Sequence, residues 1–394
     1  MATGPMTPVR YHPLDEATLA DPYPVLAALR EQTPVAWHET MQSWLTSRYH
    51  DCLRVLRDHE RFARDPRRLG LKVPDAHLSV QVLDPPQQAG VRSLFMSALH
   101  AQDLDTLQHS VGHLVRERLE QSGAHPVEAM SQLAQPVALA ATTGLLGVTP
   151  PPLAEWAATS DTIMRSMDAG LDPELVEPGR HARTQLSDLV ASWFTTTGRP
   201  TGLLGHVRTR AAAAGPEQAA YMRHTARVMF QGGYSTLTAA LGNLLHALAH
   251  HPELRSVLRE NRHLVRTAVD ELVRYDGPVQ GTTRLATGDV TIRGVRVRRG
   301  QKVTVLFAAA NRDPDAFADP DRIVVDRTPN QHLGYGWGTH ACLGTVMAQR
   351  VLAVLVDALL DTQVWPCPAG PAIRLRTATM RTFARLPLSL HSRP

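Results

Sequence analysis

Lysine is almost missing from this chain: of 41 basic residues only Lys72 and Lys302 are lysines, and all the others are arginine. No run of five or six like charges appears, so the basic tails that bind nucleic acid are absent and that class of function falls away. Cysteine is equally scarce. Cys52, Cys342 and Cys367 in 394 residues form no disulfide framework and no paired-cysteine zinc spacing, which points to a reducing compartment. Long hydrophobic runs are missing too. The longest uncharged stretch, between Glu128 and Glu155, is interrupted by Gln132, Gln135, Thr142, Thr143 and three prolines at 150 to 152. It falls short of the ~20 apolar residues of a membrane span and reads as a buried helix. The opening MATGPMTPVRYHPLDEATLADPYPV holds neither the apolar core of a signal peptide nor an Arg/Ser-rich presequence, so the expectation is a cytoplasmic protein with no membrane partner.

What remains is a globular composition, 43% hydrophobic and 20% charged, with a formal net charge of +4. The length allows one large domain or two to three ordinary ones. No linker, repeat or composition shift divides the chain, and a single domain over residues 1–394 is expected. Residues 22–30 and 49–58 read as helices, and Pro34 to Ser47 reads as a hairpin of Val, Trp and Thr positions. The segment from about 66 to 83 has no period and reads as a long loop, a candidate for substrate contact. From 88 to 248 helices alternate with turns such as VTPPP, DAGLDPE, GRPTG and AAGPE. Apolar pairs between 253 and 275 keep helical spacing. After Gly277-Pro278 short strands begin, and a second β-like patch lies near 372–391. The fold class that follows is mainly α with small β-sheets, an α+β arrangement.

The chemistry concentrates in HLGYGWGTHACLGTVMAQRVLAVLVDALLDT, residues 332–362. Gly334, Gly336 and Gly338 alternate toward His340, Cys342 and Gly344, after which the apolar spacing turns helical. Such a turn delivers a cysteine to a helix start, where unpaired N–H groups and the positive dipole end favour the thiolate. That thiolate can be a nucleophile or a metal ligand. The glycines let a flat ligand approach the backbone closely.

Phe-x-x-Gly-x-x-x-Cys-x-Gly is the haem signature of the cytochrome P450 family, and Tyr335, Gly338, Cys342 and Gly344 resemble it, with tyrosine in the phenylalanine place. The resemblance extends to Glu271-Leu272-Val273-Arg274, to NRDPDAFADPDRIVVDR from Asn311 to Arg327, to DPYPV near the start, to DPPQQAGVR at 84–92 and to GNLLHALAHHPEL at 242–254. It therefore covers nearly the whole chain in order and looks like the soluble bacterial type, close in residue usage to actinobacterial natural-product enzymes.

This resemblance implies a cytochrome P450 fold with haem b buried between an oxygen-binding helix near 228–248 and the Cys342 loop and helix. Cys342 would be the axial ligand of the iron, and Glu271 and Arg274 a structural pair. Tyr335, Gly336 and Gly344 would frame the haem, while Arg284, His340, Arg92 and Gln88 would serve its propionates; Gln88 stands where the family often has histidine. The oxygen-binding helix would place its break at Gly232, Gly233, Tyr234, Ser235 and Thr236. There the glycines make room for dioxygen and water, Thr236 takes part in proton delivery, and Ser235 replaces the usual acid. Val82, Phe230, Tyr234, Val279, Gln280, Thr282 and Phe383 would line the substrate pocket.

The implied activity is a haem-thiolate monooxygenase that hydroxylates or epoxidises a mid-sized hydrophobic secondary metabolite. It would use dioxygen and electrons from a ferredoxin and its reductase, and act as a monomer; the small basic excess suits an acidic ferredoxin. Ser235 in the acid's place leaves a second possibility open, a non-oxygenating oxidase that couples, desaturates or rearranges its substrate. A haem-based gas-binding protein without turnover is a remote third, since nothing resembles an output domain. Cys52 and Cys367 have no assignable role.

Overall fold

Periodic apolar spacing becomes helix through most of this chain, in a computed structural model that describes residues 9–122, 125–195 and 201–391. The helices are α1 (Glu16–Ala20), α2 (Tyr23–Gln32), α3 (Tyr49–Arg57), α4 (Gln87–His100), α5 (Leu104–Gln121), α6 (Gln135–Leu146), α7 (Leu153–Ser166) and α8 (Val176–Thr195). They continue with α9 (Gly202–Ala213), α10 (Pro216–His250), α11 (Glu253–Glu260), α12 (Val265–Asp276), α13 (Phe307–Ala310) and α14 (Thr345–Asp361). Short strands fill the gaps: β1 (Val35–His38), β2 (Ser43–Thr46), β3 (Phe62–Ala63), β4 (Val127–Glu128), β5 (Gly281–Ala286) and β6 (Val290–Ile292). The last are β7 (Val295–Val297), β8 (Lys302–Leu306), β9 (Trp365–Pro368), β10 (Ile373–Arg374), β11 (Phe383–Arg385) and β12 (Pro387–His391).

The expected hairpin is β1 and β2, paired antiparallel from Val35 opposite Thr46. It belongs to a five-stranded sheet in the order β1-β2-β8-β5-β3. Within that sheet Ala63 of β3 faces Leu285 of β5, so the next residue, Arg64, continues toward Arg284. This antiparallel register brings two arginines 220 positions apart into one neighbourhood, which no local pattern shows.

The stretch read as a buried helix is one: a π-turn at Met130–Ala134 leads into α6, nine of whose residues are buried. It stops at Gly147, whose φ of +72° closes the helix in the left-handed region. The loop at 66–83 holds only two 3₁₀ turns, at Pro66–Leu69 and Asp75–His77. The GRPTG turn falls largely outside the described residues. The helical spacing from 253 to 275 resolves into α11 and α12, separated by a 3₁₀ turn at Arg262–Leu264. Asn261 interrupts the run, with φ −126° and ψ 63°, and its side chain donates to the Val257 carbonyl.

α10 departs from expectation. The predicted break at Gly232–Thr236 does not occur, and the helix runs unbroken for 35 residues. Glycine costs a helix about 1 kcal/mol per position. Packing outweighs that cost, since from Phe230 to Ala249 most side chains are buried against neighbouring helices, and each fully buried large apolar side chain contributes about 1.5–3 kcal/mol.

Candidate functional site

The glycines of the cysteine loop have separable tasks. Gly338 has φ +72°, and a Cβ there would lie 2.5 Å from the Leu56 carbonyl oxygen of α3, so both conformation and space demand glycine. Gly336 has φ +67°, with nothing nearer than 3.6 Å to an added Cβ. Gly344 caps α14, and its N–H donates to Cys342 Sγ at 3.3 Å. The Cys342 N–H is held by the Tyr335 carbonyl at 2.9 Å. Tyr335 itself packs its ring against His332, 5.5 Å between centroids, and its hydroxyl is buried without a partner.

Cys342 is exposed, although enclosure by protein pushes its thiol pKa up; the Gly344 N–H, Thr345 and the charge of Arg92 oppose that rise. A group both enclosed and accessible borders an internal open space. Arg92, expected at a propionate, therefore stands where its charge supports the Cys342 thiolate. Among the described residues no group of three or more His, Cys, Asp or Glu is placed to hold a metal. A lone thiolate suits an iron whose other positions are already filled by a macrocycle.

On the other side of this loop lies a buried polar cluster built from four segments. Arg284 of β5 is 4% exposed. Its guanidinium donates to Thr282 Oγ1 and the Thr283 carbonyl, both at 3.1 Å. Burial, reinforced by the charge of Arg64, pulls its pKa down to about 9. Arg64 donates to the same Thr282 hydroxyl. Asp84, missed by the sequence reading, accepts from the Arg64 N–H at 2.9 Å, the Asp65 N–H at 3.1 Å and His340 Nε2 at 2.9 Å. These bonds keep its carboxyl below the ordinary range despite burial. His340 is lowered by burial, with Asp84 opposing and Arg284 and Arg64 adding to the fall. Its Nε2 is committed to Asp84, so its expected propionate contact is left to Nδ1. Gln88 donates one amide N–H to the Thr339 carbonyl at 2.6 Å, which ties α4 to the cysteine loop and leaves one N–H for its expected propionate contact.

Arg284 and Arg64, with Arg68 as a third guanidinium 3.6 Å from Asp84, share the single carboxylate Asp84 and leave a positive excess in a buried place. Isolated buried charge is costly, and the two carboxylates of a haem would balance it. The residues present therefore fit that cofactor, with Cys342 toward its iron.

In α10 the structure divides the predicted site. An added Cβ at Gly232 would meet nothing within 4 Å, whereas at Gly233 it would touch Thr142 of α6 at 3.0 Å. Gly232 thus faces open space, and Gly233 permits close helix packing. Thr236 donates its hydroxyl to the Gly232 carbonyl, and Ser235, 5% exposed, donates to the Gln231 carbonyl at 2.8 Å. Both are back-bonded one turn along the helix.

Several residues expected at the substrate lie in packed core instead. Phe230 and Tyr234, 0% and 2% exposed, join Trp156 and Trp193 in an aromatic cluster against α7 and α8. Large aromatic area is stabilised by such packing, so neither ring borders an opening. Phe383 is sandwiched by His246 at 4.9 Å and Arg374 at 3.7 Å. Thr282 belongs to the arginine cluster. Gln280 folds back to the Gly277 carbonyl at 2.9 Å. Val82 and Val279 are partly buried, Val279 bridging to Met380.

Comparison with known proteins places these features in a family context. The family model described as cytochrome P450 matches residues 218–387. The chain is 31% identical over 332 residues to a mycinamicin IV hydroxylase/epoxidase of Micromonospora griseorubida, covering 81% of this chain and 82% of that protein. It is 30% identical over 354 residues to the cytochrome P450 monooxygenase PikC of Streptomyces venezuelae, covering 87% and 84%. The crystal structure of CalO2 superposes with a TM-score of 0.83 at 28% identity, over 98% of this chain and 99% of that one.

Proposed function

Because the chain belongs to the cytochrome P450 family, and so is a haem b oxidoreductase, we propose that its single catalytic domain hydroxylates or epoxidises a mid-sized hydrophobic secondary metabolite with electrons from a ferredoxin and its reductase. The observation that carries this reading is the buried positive excess at Arg284 and Arg64 beside an accessible, N–H-supported Cys342. Two relatives are named as a mycinamicin IV hydroxylase/epoxidase and a cytochrome P450 monooxygenase, which supports the reaction class.

When bound, haem b supplies reductive activation of dioxygen and delivery of an oxygen atom to the substrate. Cys342 Sγ would ligate its iron, helped by the Gly344 N–H and Arg92. Arg284 would hold a propionate, in the cluster where Asp84 fixes His340. Gly232 would leave room for dioxygen and water. Thr236 Oγ1, bonded to the Gly232 carbonyl in this structure, would serve proton delivery by passing on a proton and regaining one from water. The cysteine loop borders a depression of about 450 Å³ lined by Asp270, Gln331, His332, Tyr335, Trp337 and Ala341; a ferredoxin docking there would meet the residue next to Cys342.

The back-bonded Ser235 favours a second reading, a non-oxygenating oxidase, because it puts no carboxylate beside Thr236. Turnover of a metabolite panel with a reducing system and labelled dioxygen separates the two. Products carrying the label support monooxygenation; coupled or desaturated products without it establish the second reading. A reduced carbon monoxide spectrum of thiolate type retained in Cys342→Ala would overturn both.

A further inference from the structure

Most strongly buried arginines of this chain find acceptors within it. Arg274 has Glu271, Arg381 and Arg374 share Asp276, Arg312 has Asp321 and the Tyr275 carbonyl, and Arg30 has the Ala309 carbonyl. Arg64 differs. Among the described residues its guanidinium donates only to the Thr282 hydroxyl, which it shares with Arg284. It is enclosed enough for burial to lower its pKa, yet it keeps partial exposure, the same combination that marks Cys342 as bordering an internal space. Asp84 balances one charge at most, and that carboxylate already serves two backbone N–H groups, His340 and, at 3.6 Å, Arg68.

Resting on the haem reading above, we propose that Arg64 is a further anchor of the cofactor's propionate carboxylates, paired with Arg284 across the β3–β5 register. The geometry explains why it sits there. β3 pairs with β5 only at Phe62 with Ala286 and Ala63 with Leu285, so the chain leaves the ladder at Arg64, and its N–H is caught by Asp84. That capture aims the side chain back over Thr282 rather than into solvent. Thr282 then spaces the two guanidiniums, each with donors left over for a carboxylate oxygen.

The test compares wild type, Arg64→Ala, Arg64→Lys and the control Arg61→Ala as holoenzymes. Arg61 is exposed and pairs with Asp58 at the surface, so it should behave as wild type. Haem release to excess apomyoglobin should accelerate about tenfold or more in Arg64→Ala, the loss of one charge-assisted bond. Its reduction potential should also move negative, since a cation near the iron is lost, while Arg64→Lys restores the potential because it keeps the charge. A merely structural role would not give that rescue. Unchanged release and potential in Arg64→Ala would overturn the proposal. So would equal shifts in Arg64→Ala and Arg64→Lys, which would mark a packing effect. Wild type that binds no haem would instead defeat the cofactor reading itself. Far-UV circular dichroism confirms that each variant is folded before it is compared.

Discussion

Replacing Arg274 by methionine tests how the segment leading to the cysteine loop is held. Arg274 and Glu271 are both 0% exposed. The guanidinium donates to the two Glu271 oxygens at 2.7 and 2.8 Å and to the carbonyls of Asn311, Pro320 and Arg322 at 2.8, 2.7 and 2.9 Å. Glu271 in turn accepts from the Val324 N–H at 2.8 Å and from Arg327 Nε at 3.0 Å. Methionine fills similar space but donates nothing. Each orphaned buried carbonyl costs about 1–3 kcal/mol, and stripping one partner from a buried ion pair costs about 3–5 kcal/mol. These terms overlap, and Arg327 still partners Glu271, so a loss of about 4–6 kcal/mol is expected, a large share of ordinary domain stability. Urea unfolding followed by tryptophan fluorescence measures it, and hydrogen exchange should show residues 311–327 opening first. In the double variant Glu271→Leu with Arg274→Met the stranded carboxylate is gone. The combined loss should then fall short of the sum of the single losses by at least about 1 kcal/mol. A single-variant loss below about 1 kcal/mol, or strict additivity, would refute the reasoning.

Gly338→Ala should destabilise the protein by about 1–3 kcal/mol and reduce haem content, since it combines a strained φ with a clash against Leu56; Gly336→Ala, strained but unobstructed, should cost about 1–2 kcal/mol in the same thermal unfolding assay. Asp168, 4% exposed, accepts from Thr377 Oγ1, the Ala378 N–H, the Thr379 N–H and Thr379 Oγ1, tying the end of α7 to the C-terminal turn. Asp168→Ala should therefore raise hydrogen exchange at residues 377–382, with a loss of about 2–4 kcal/mol; unchanged protection there would contradict the tie. His332 is 7% exposed, and burial lowers its pKa from 6.5 to about 4. A histidine kept neutral by folding stabilises above its unfolded pKa and loses that contribution as pH falls from about 6.5 toward 4, by about 3 kcal/mol. His332→Asn keeps an acceptor for the Gly334 N–H, so its urea midpoint should depend less on pH across that window, and an identical slope would count against the assignment.

What was legible in the sequence was local. The alternating glycines before Cys342 are a local signal, since φ and close approach are properties of consecutive residues; the close approach at Gly338 is to the Leu56 carbonyl, and the Gly344 N–H reaches Cys342 Sγ. The hairpin and the buried α6 follow from periods of two and of three to four. What stayed hidden is nonlocal. Arg64 and Asp84 meet Arg284 and His340 only through strand register and loop capture, and a lone arginine after a two-residue strand carries no pattern. The Asp of DPPQQAGVR likewise carries no pattern of its own, because its partners lie 20 and 256 positions away. Helix α10 shows the opposite limit: Phe230 and Tyr234 lie within the functional run of sequence, but a helix turns 100° per residue, and only some of its faces meet open space. Adjacency in sequence placed them near the site, and rotation put them in the aromatic core.

The arginine bias with which the sequence opens acquires a physical sense from this arrangement. Arg30, Arg274, Arg284, Arg312 and Arg381 are all at most 8% exposed, and a lysine in any of those places would readily give up its proton under desolvation. Guanidinium stays charged, so the protein can keep positive charge inside. Where the charge is architectural, the chain supplies the acceptors: Glu271 and Asp276 each serve two arginines. At Arg64 and Arg284 it supplies only Thr282, the Thr283 carbonyl and a share of Asp84. The same residue type thus does two jobs that burial alone does not distinguish. The difference lies in whether the fold contains the counter-charge, and the place where it does not is the place prepared for an anionic guest.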